Sequence, residues 1–241
     1  MAYRKVDEAS LTAVADSIRE KGGTTGALAF PDGFVSAVQA IQAGGSGNQP
    51  EVGFVPTAWD ADGYITEGTW YGVTVPNNYF LFNKYNITKL EKIRIDKNTN
   101  KCGSGAFQNN TSLKTVEFEN ETFGAGVQAF SGCTSLVMER IPKGYYYWGH
   151  STQAFMGCTS LKNITVPSNG DSRYKIPLGC FENCTGLESV TFEGTFGAVE
   201  STAFNGCTNL LTINVPWAEG EIANAPWGAT NATINYNYTG V

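Results

Sequence analysis

Histidine is almost missing from this 241-residue chain, which has a single copy at His150, and only 16% of its residues are charged. One imidazole with no G-x-S-x-G elbow near it, in a chain that also lacks a Walker loop and a Rossmann fingerprint, offers no recognisable catalytic device. The chain therefore reads as non-enzymatic, with no cofactor implied. The formal charge of −6 and a pI near 4.9 give no electrostatic reason to expect nucleic acid or an anionic membrane surface as partner. No apolar run approaches the roughly 18 residues that span a bilayer, so no membrane insertion is expected. Residues Met1 to Glu8 are charged from the start and have no apolar core, so no Sec leader is expected. Low charge argues against a disordered polymer, and 28 glycines point to many turns.

Aligning the chain with itself is more informative. The unit A-F-x-x-C-T-x-L-x-x-φ-x-φ, with φ apolar, recurs five times between Lys101 and Pro216. It runs from Ala106-Phe107 to Leu113, Val116 and Phe118, and returns at Ala129-Phe130, Cys133-Thr134 and Leu136. It appears again at Ala154-Phe155, Cys158-Thr159, Leu161, Ile164 and Val166, then at Cys180-Phe181, Cys184-Thr185, Leu187, Val190 and Phe192. The last copy is Ala203-Phe204, Cys207-Thr208, Leu210, Ile213 and Val215. A period of about 23–26 residues leaves room for one strand and one or two turns, and such a unit buries its apolar face only by stacking on its neighbours. Alternation, as at Ile164 and Val166, puts both side chains on one face of a strand. The Leu, Phe and φ positions are then expected to form columns along a mainly β solenoid. In the second copy Glu139 stands at a φ position, so that strand is expected to bulge or shift.

The ends differ from the middle. Leu90, Ile93 and Ile95 repeat the strand half of the motif 23 residues before Leu113, and residues 53–100 read as an irregular first coil with its cap. Ile234 and Tyr236 alternate like a final strand after a turn at Pro226-Trp227-Gly228. Residues 1–44 carry two short helical patterns, Leu11, Val14, Ala15, Ile18 and Phe34, Val38, Ile41, which predict a small attachment or oligomerisation module. Residues 45–52, which include Gly45-Ser46-Gly47-Asn48, have linker composition. The solenoid with both caps then covers 53–241.

The A-F-x-x-C-T-x-L units resemble the BspA-like leucine-rich repeats of bacterial and phage surface proteins. The resemblance implies a right-handed leucine-rich-repeat solenoid. Ala13-Val14-Ala15-Asp16-Ser17-Ile18-Arg19 and Phe30-Pro31-Asp32-Gly33-Phe34 are similar to the N-terminal helical module of tail-associated proteins in phages of Gram-positive bacteria. Asp60-Ala61-Asp62-Gly63-Tyr64 and the ending around Pro226-Trp227-Gly228-Ala229 are similar to segments found with it.

Six cysteines invite a test for metal or disulfide chemistry. Cys133, Cys158, Cys184 and Cys207 hold one place in four copies, and Asn110 holds it in the first. A column spreads ligands along a line, whereas a metal needs them around a point. Buried free thiols are the favoured reading, with disulfides between coils and a metal site as alternatives. Cys180 stands where other copies have Ala. Around Asp60-Ala61-Asp62-Gly63 an EF-hand would need an acid at position 58 and a Glu at 69, where the chain has Ala58 and Thr69, so the segment reads as a turn between strands. The candidate ligand-binding residues are aromatic: Tyr145, Tyr146, Tyr147 and Trp148 in one long connection, and Tyr174 in the next. Exposed rings pack on the C–H faces of sugars, so a glycan is the expected ligand class; the alternative is that alternate rings point inward.

The resemblance implies a phage or prophage tail-associated protein, attached to other virion proteins through its N-terminal module and facing a bacterial surface protein or glycan. The alternative is a bacterial surface or secreted adhesin. The apparent lack of a leader and cell-wall anchor favours the first. Assembly as a homo-oligomer through the front module is left open.

Overall fold

The computed structural model describes residues 53–77, 85, 87–143, 152–168, 170–171 and 173–240. The helical module expected over 1–44, the linker over 45–52 and the aromatic run Tyr145–Trp148 lie outside these residues.

The chain enters through an antiparallel pair, β1 (Gly53–Trp59) and β2 (Ile65–Tyr71), joined by the turn at Asp60–Gly63. Asp60 makes that turn itself: its Oδ1 accepts the backbone N–H groups of Asp62 and Tyr64 at 3.0 and 2.9 Å. This is the Asx geometry that short acidic side chains favour in turns, and Gly63 takes the positive φ (81°) that follows. The Asp60 segment is thus a strand connection, as its sequence predicts. β2 then opens the stack. β4 (Lys92–Ile95) lies parallel beside it and β6 (Thr115–Phe118) beside β4, in the order β1-β2-β4-β6. β1 covers what would be the free edge of β2, so the hairpin serves as an N-terminal cap. Its packing is close: a Cβ at Gly68 would sit inside the Phe54 ring.

A second parallel sheet carries the later coils, β7 (Asn163–Pro167), β9 (Ser189–Glu193), β11 (Thr212–Asn214) and β12 (Thr233–Asn235), in that order across the sheet. On the return side of the coils, two-residue pairs form between β3 (Thr74–Val75) and β5 (Lys101–Cys102), and between β8 (Lys175–Ile176) and β10 (Ala198–Val199).

The columns expected from the repeat are present. Leu90, Leu113, Leu136, Leu161, Leu187 and Leu210 are all fully buried. Phe107, Phe130, Phe155, Phe181 and Phe204 stack in turn with centroids 5.3–5.5 Å apart and planes within 12° of parallel. Those separations are close to the strand spacing of about 4.8 Å, as expected for rings that repeat once per coil.

The residue before each Cys position adopts a left-handed backbone: Asn109, Gly132, Gly157, Asn183 and Gly206 have φ of 59–74°. Only Gly and Asn occupy this place because other side chains clash there. At the C-terminal end Trp227 is fully buried, its indole N–H donates to the Ala223 carbonyl at 2.8 Å, and its ring meets Trp217 edge-on at 6.2 Å. Ala229 and Ala232 follow the hydrogen-bond pattern of Cys207 and Leu210, so a shortened sixth copy closes the stack.

Candidate functional site

The cysteine column is structural. All six cysteines are free and buried. Each thiol in the repeat donates to a carbonyl of the coil before it: Cys133 to Phe107, Cys158 to Phe130 and Cys184 to Phe155 at 3.1 Å, and Cys207 to Phe181 at 3.0 Å. Burial pushes the Cys133 thiol up to about 12, so it stays a donor at neutral pH. Of the alternatives read from the sequence, the free buried thiol is the one found. Among the described residues no group of three or more His, Cys, Asp or Glu is placed to hold a metal. Cys180 is fully buried in the place of an Ala, and Cys102, in β5, accepts the Gly126 N–H at 3.5 Å.

Of the predicted aromatic ligands, Tyr174 is described, and it is only 3% exposed. Its ring meets Phe196 edge-on at 5.2 Å, and it offers no free face for a sugar to stack on. Tyr174 packs inward, because the return-side connection turns it onto the core beside β8. His150 lies outside the described residues.

What the fold does present is the outward face of its two sheets, and the two differ in chemistry. On the first sheet charged residues pair across coils: Lys92 with Glu117 at 2.7 Å, Lys114 with Glu91 at 2.8 Å, and Arg94 with Glu119. On the second the outward strand residues are uncharged except for Glu193 in β9. Register places Asn163, Ser189, Thr212 and Thr233 in one row and Thr165, Thr191, Asn214 and Asn235 in the next. Hydrogen bonds between coils fix much of this array: Ser189 Oγ donates to Asn163 Oδ1 at 2.7 Å, Asn214 Nδ2 to Thr191 Oγ1 at 3.1 Å, and Asn235 Nδ2 to Asn214 Oδ1 at 2.8 Å. Ion pairs occur here too: Lys162–Glu188 at 3.1 Å, at the repeat positions that Lys114 and Glu91 hold on the first sheet, and Arg140 with Glu193 of β9 at 2.6 Å.

The two sheets are separate because the second coil forms no strand. Glu139 stays exposed instead of pointing inward, and Met138 is half-buried in its stead. An ionised carboxylate in the core would cost several kcal/mol, so the segment turns and only Arg140 forms a bridge, with Thr165. A cleft of about 180 Å3 opens there, lined by Phe118, Glu121, Arg140, Ile141, Pro142 and Lys143.

Comparison with known proteins agrees with this architecture. The structure is similar to that of a leucine-rich cell surface protein from Faecalibacterium prausnitzii A2-165, with a TM-score of 0.50 and 23% identity over 77% of this chain. The match covers 53% of that protein, so this chain spans about half its length, and the likeness is one of fold alone. No curated protein matches the chain. Nothing in these comparisons carries the tail-protein resemblance. The model of the BspA type leucine-rich repeat region matches residues 74–211 in six copies, more than half of the sequence, and the chain belongs to that family.

Proposed function

We propose that this chain is a non-enzymatic recognition module displayed at a bacterial surface or secreted, an adhesin-like protein that meets its partner through the outward face of the solenoid. The observation that carries the reading is the ordered lattice on the second sheet. Its side chains are already held by hydrogen bonds between coils, so a ligand that contacts them freezes little additional motion. Membership of the BspA-type family and fold similarity to a bacterial cell surface protein support the location. A bacterial surface protein or glycan is the expected partner class.

Antibody raised against the chain should label intact cells of the source bacterium, and beads coated with the chain should adhere to the surface it recognises. Replacing Asn214 by Arg in the middle of the lattice should reduce that adhesion at least tenfold, with an unchanged melting temperature. Labelling confined to lysed cells would defeat the location, and undiminished adhesion by the Asn214→Arg chain would defeat the assignment of the face.

A further inference from the structure

We propose that the second sheet takes a neutral, extended β-1,4-linked polysaccharide, laid across its strands with one sugar to each coil. This rests on the reading of that sheet as the recognition face and names the ligand for it.

The two outward rows are not exhausted by their own hydrogen bonds. Asn163 in β7 accepts from Ser189 through Oδ1, while its Nδ2 has no partner among the described residues. The hydroxyls of Thr212 in β11 and Thr233 in β12 have none among them either. In β9 Thr191 Oγ1 accepts from Asn214 Nδ2, which leaves its own hydroxyl hydrogen unspent. Each strand of this four-stranded sheet therefore keeps a donor that no described protein atom takes up. The ladder repeats these groups without a shift of register, since Asn163 lies opposite Ser189, Ser189 opposite Thr212, and Thr212 opposite Thr233.

The period of the groups is that of the coils. Phe155, Phe181 and Phe204, one to a coil, follow at 5.5 and 5.4 Å, near the strand spacing of about 4.8 Å. An extended β-1,4-linked pyranose chain advances by close to that distance per sugar, because equatorial bonds on opposite sides of each ring keep rings and bridging oxygens in line. It presents an edge of hydroxyls at every step, and a sugar hydroxyl, like that of Thr, both donates and accepts. An α-1,4-linked chain curls and falls out of step.

Charge selects the same ligand. Protein partners are anchored by aromatic and Arg side chains, and the two rows have neither. Phosphate-rich polymers bind through Lys and Arg that are free to meet them, whereas Lys162 and Arg140 are paired here with Glu188 and Glu193. Uncharged rows suit an uncharged polymer.

The probes are two neutral β-1,4-linked series, oligomers of glucose and of N-acetylglucosamine, titrated calorimetrically into the full chain. Affinity should rise at least tenfold from disaccharide to tetrasaccharide and level off by the hexasaccharide, because four strands carry the rows. The α-1,4-linked glucose hexasaccharide should bind at least tenfold more weakly than the β-1,4-linked hexasaccharide that binds. Thr212→Val keeps the side-chain shape, removes one central hydroxyl and should weaken binding at least threefold. Thr115→Val, at the same repeat position in β6 of the first sheet, should leave it unchanged. Absence of saturable heat with both β-1,4-linked hexasaccharides, affinity that does not grow with chain length, equal binding of the α-linked chain, or equal effects of Thr212→Val and Thr115→Val would each overturn the proposal. If the Asn214→Arg chain loses adhesion while neither series binds, the recognition face stands and this ligand class falls.

Discussion

Asn110 occupies the place that Cys133 fills one coil later and makes the same kind of link to the coil before it. Its Nδ2 donates to the Ile87 carbonyl at 3.4 Å, as the Cys133 thiol donates to that of Phe107 at 3.1 Å. The amide brings one polar atom too many. Asn110 Oδ1 is buried with no hydrogen-bond partner. Asn110→Cys should therefore raise stability by about 1 kcal/mol, within the cost of leaving a buried acceptor unpaired. Urea denaturation of both chains measures this, and a fall in stability would show that the amide is better accommodated than its contacts indicate.

Because all six thiols are buried, a maleimide should label none of them in the folded chain at pH 8 and all six in denaturant. The same burial links stability to alkali. Cys102 and Cys133 are raised from 9.0 to about 12, so their neutral form is favoured in the folded state. Their contribution is complete below pH 9 and is lost progressively as pH climbs from 9 toward 12. Cys133→Ala should flatten that part of the stability profile.

The repeat register is tested by two adjacent residues. Leu161→Ala removes a fully buried column residue and should cost about 2–5 kcal/mol. Lys162→Ala loses only an exposed ion pair with Glu188 and should cost less than about 0.5 kcal/mol. Similar losses at both would show that the phase is misassigned.

Gly186 has no side chain because the coil before it leaves no room for one. A Cβ there would run into the Thr159 carbonyl oxygen, which is backbone and cannot swing aside. Gly186→Ala should lower stability by about 1–3 kcal/mol through forced backbone shifts. Gly170→Ala, with nothing within 4 Å of its Cβ, should pay only for its positive φ of 82°. Thermal denaturation of the two variants side by side checks the contrast.

The columns are legible in the sequence because Leu, Phe and the φ residues recur in phase, and periodicity alone assigns their faces. The left-handed place before each Cys is equally visible, as the series Asn109, Gly132, Gly157, Asn183, Gly206, although the motif carries an unspecified residue there. The sixth copy is visible too: Ala229-Thr230-Asn231 repeats Cys207-Thr208-Asn209, shortened by one residue before the strand. Tyr174 is not legible. It lies in a connection of irregular length, where spacing fixes no face, and tertiary packing on Phe196 decides its direction. The second coil lies in between: Glu139 announces a disturbance, but whether the strand bulges or dissolves depends on competition between β6 and β7 for its backbone.

Each coil touches only its neighbours, so cooperativity passes along the stack one interface at a time. Between the first and second coils the turn side remains continuous, through the Phe107–Phe130 stack and the Cys133 hydrogen bond, while the sheet side is reduced to one rung. Tension applied along the axis, or unfolding that spreads from either end, meets its weakest coupling there. The solenoid should accordingly respond to force as two cooperative blocks in series, with the boundary between them set by a single glutamate.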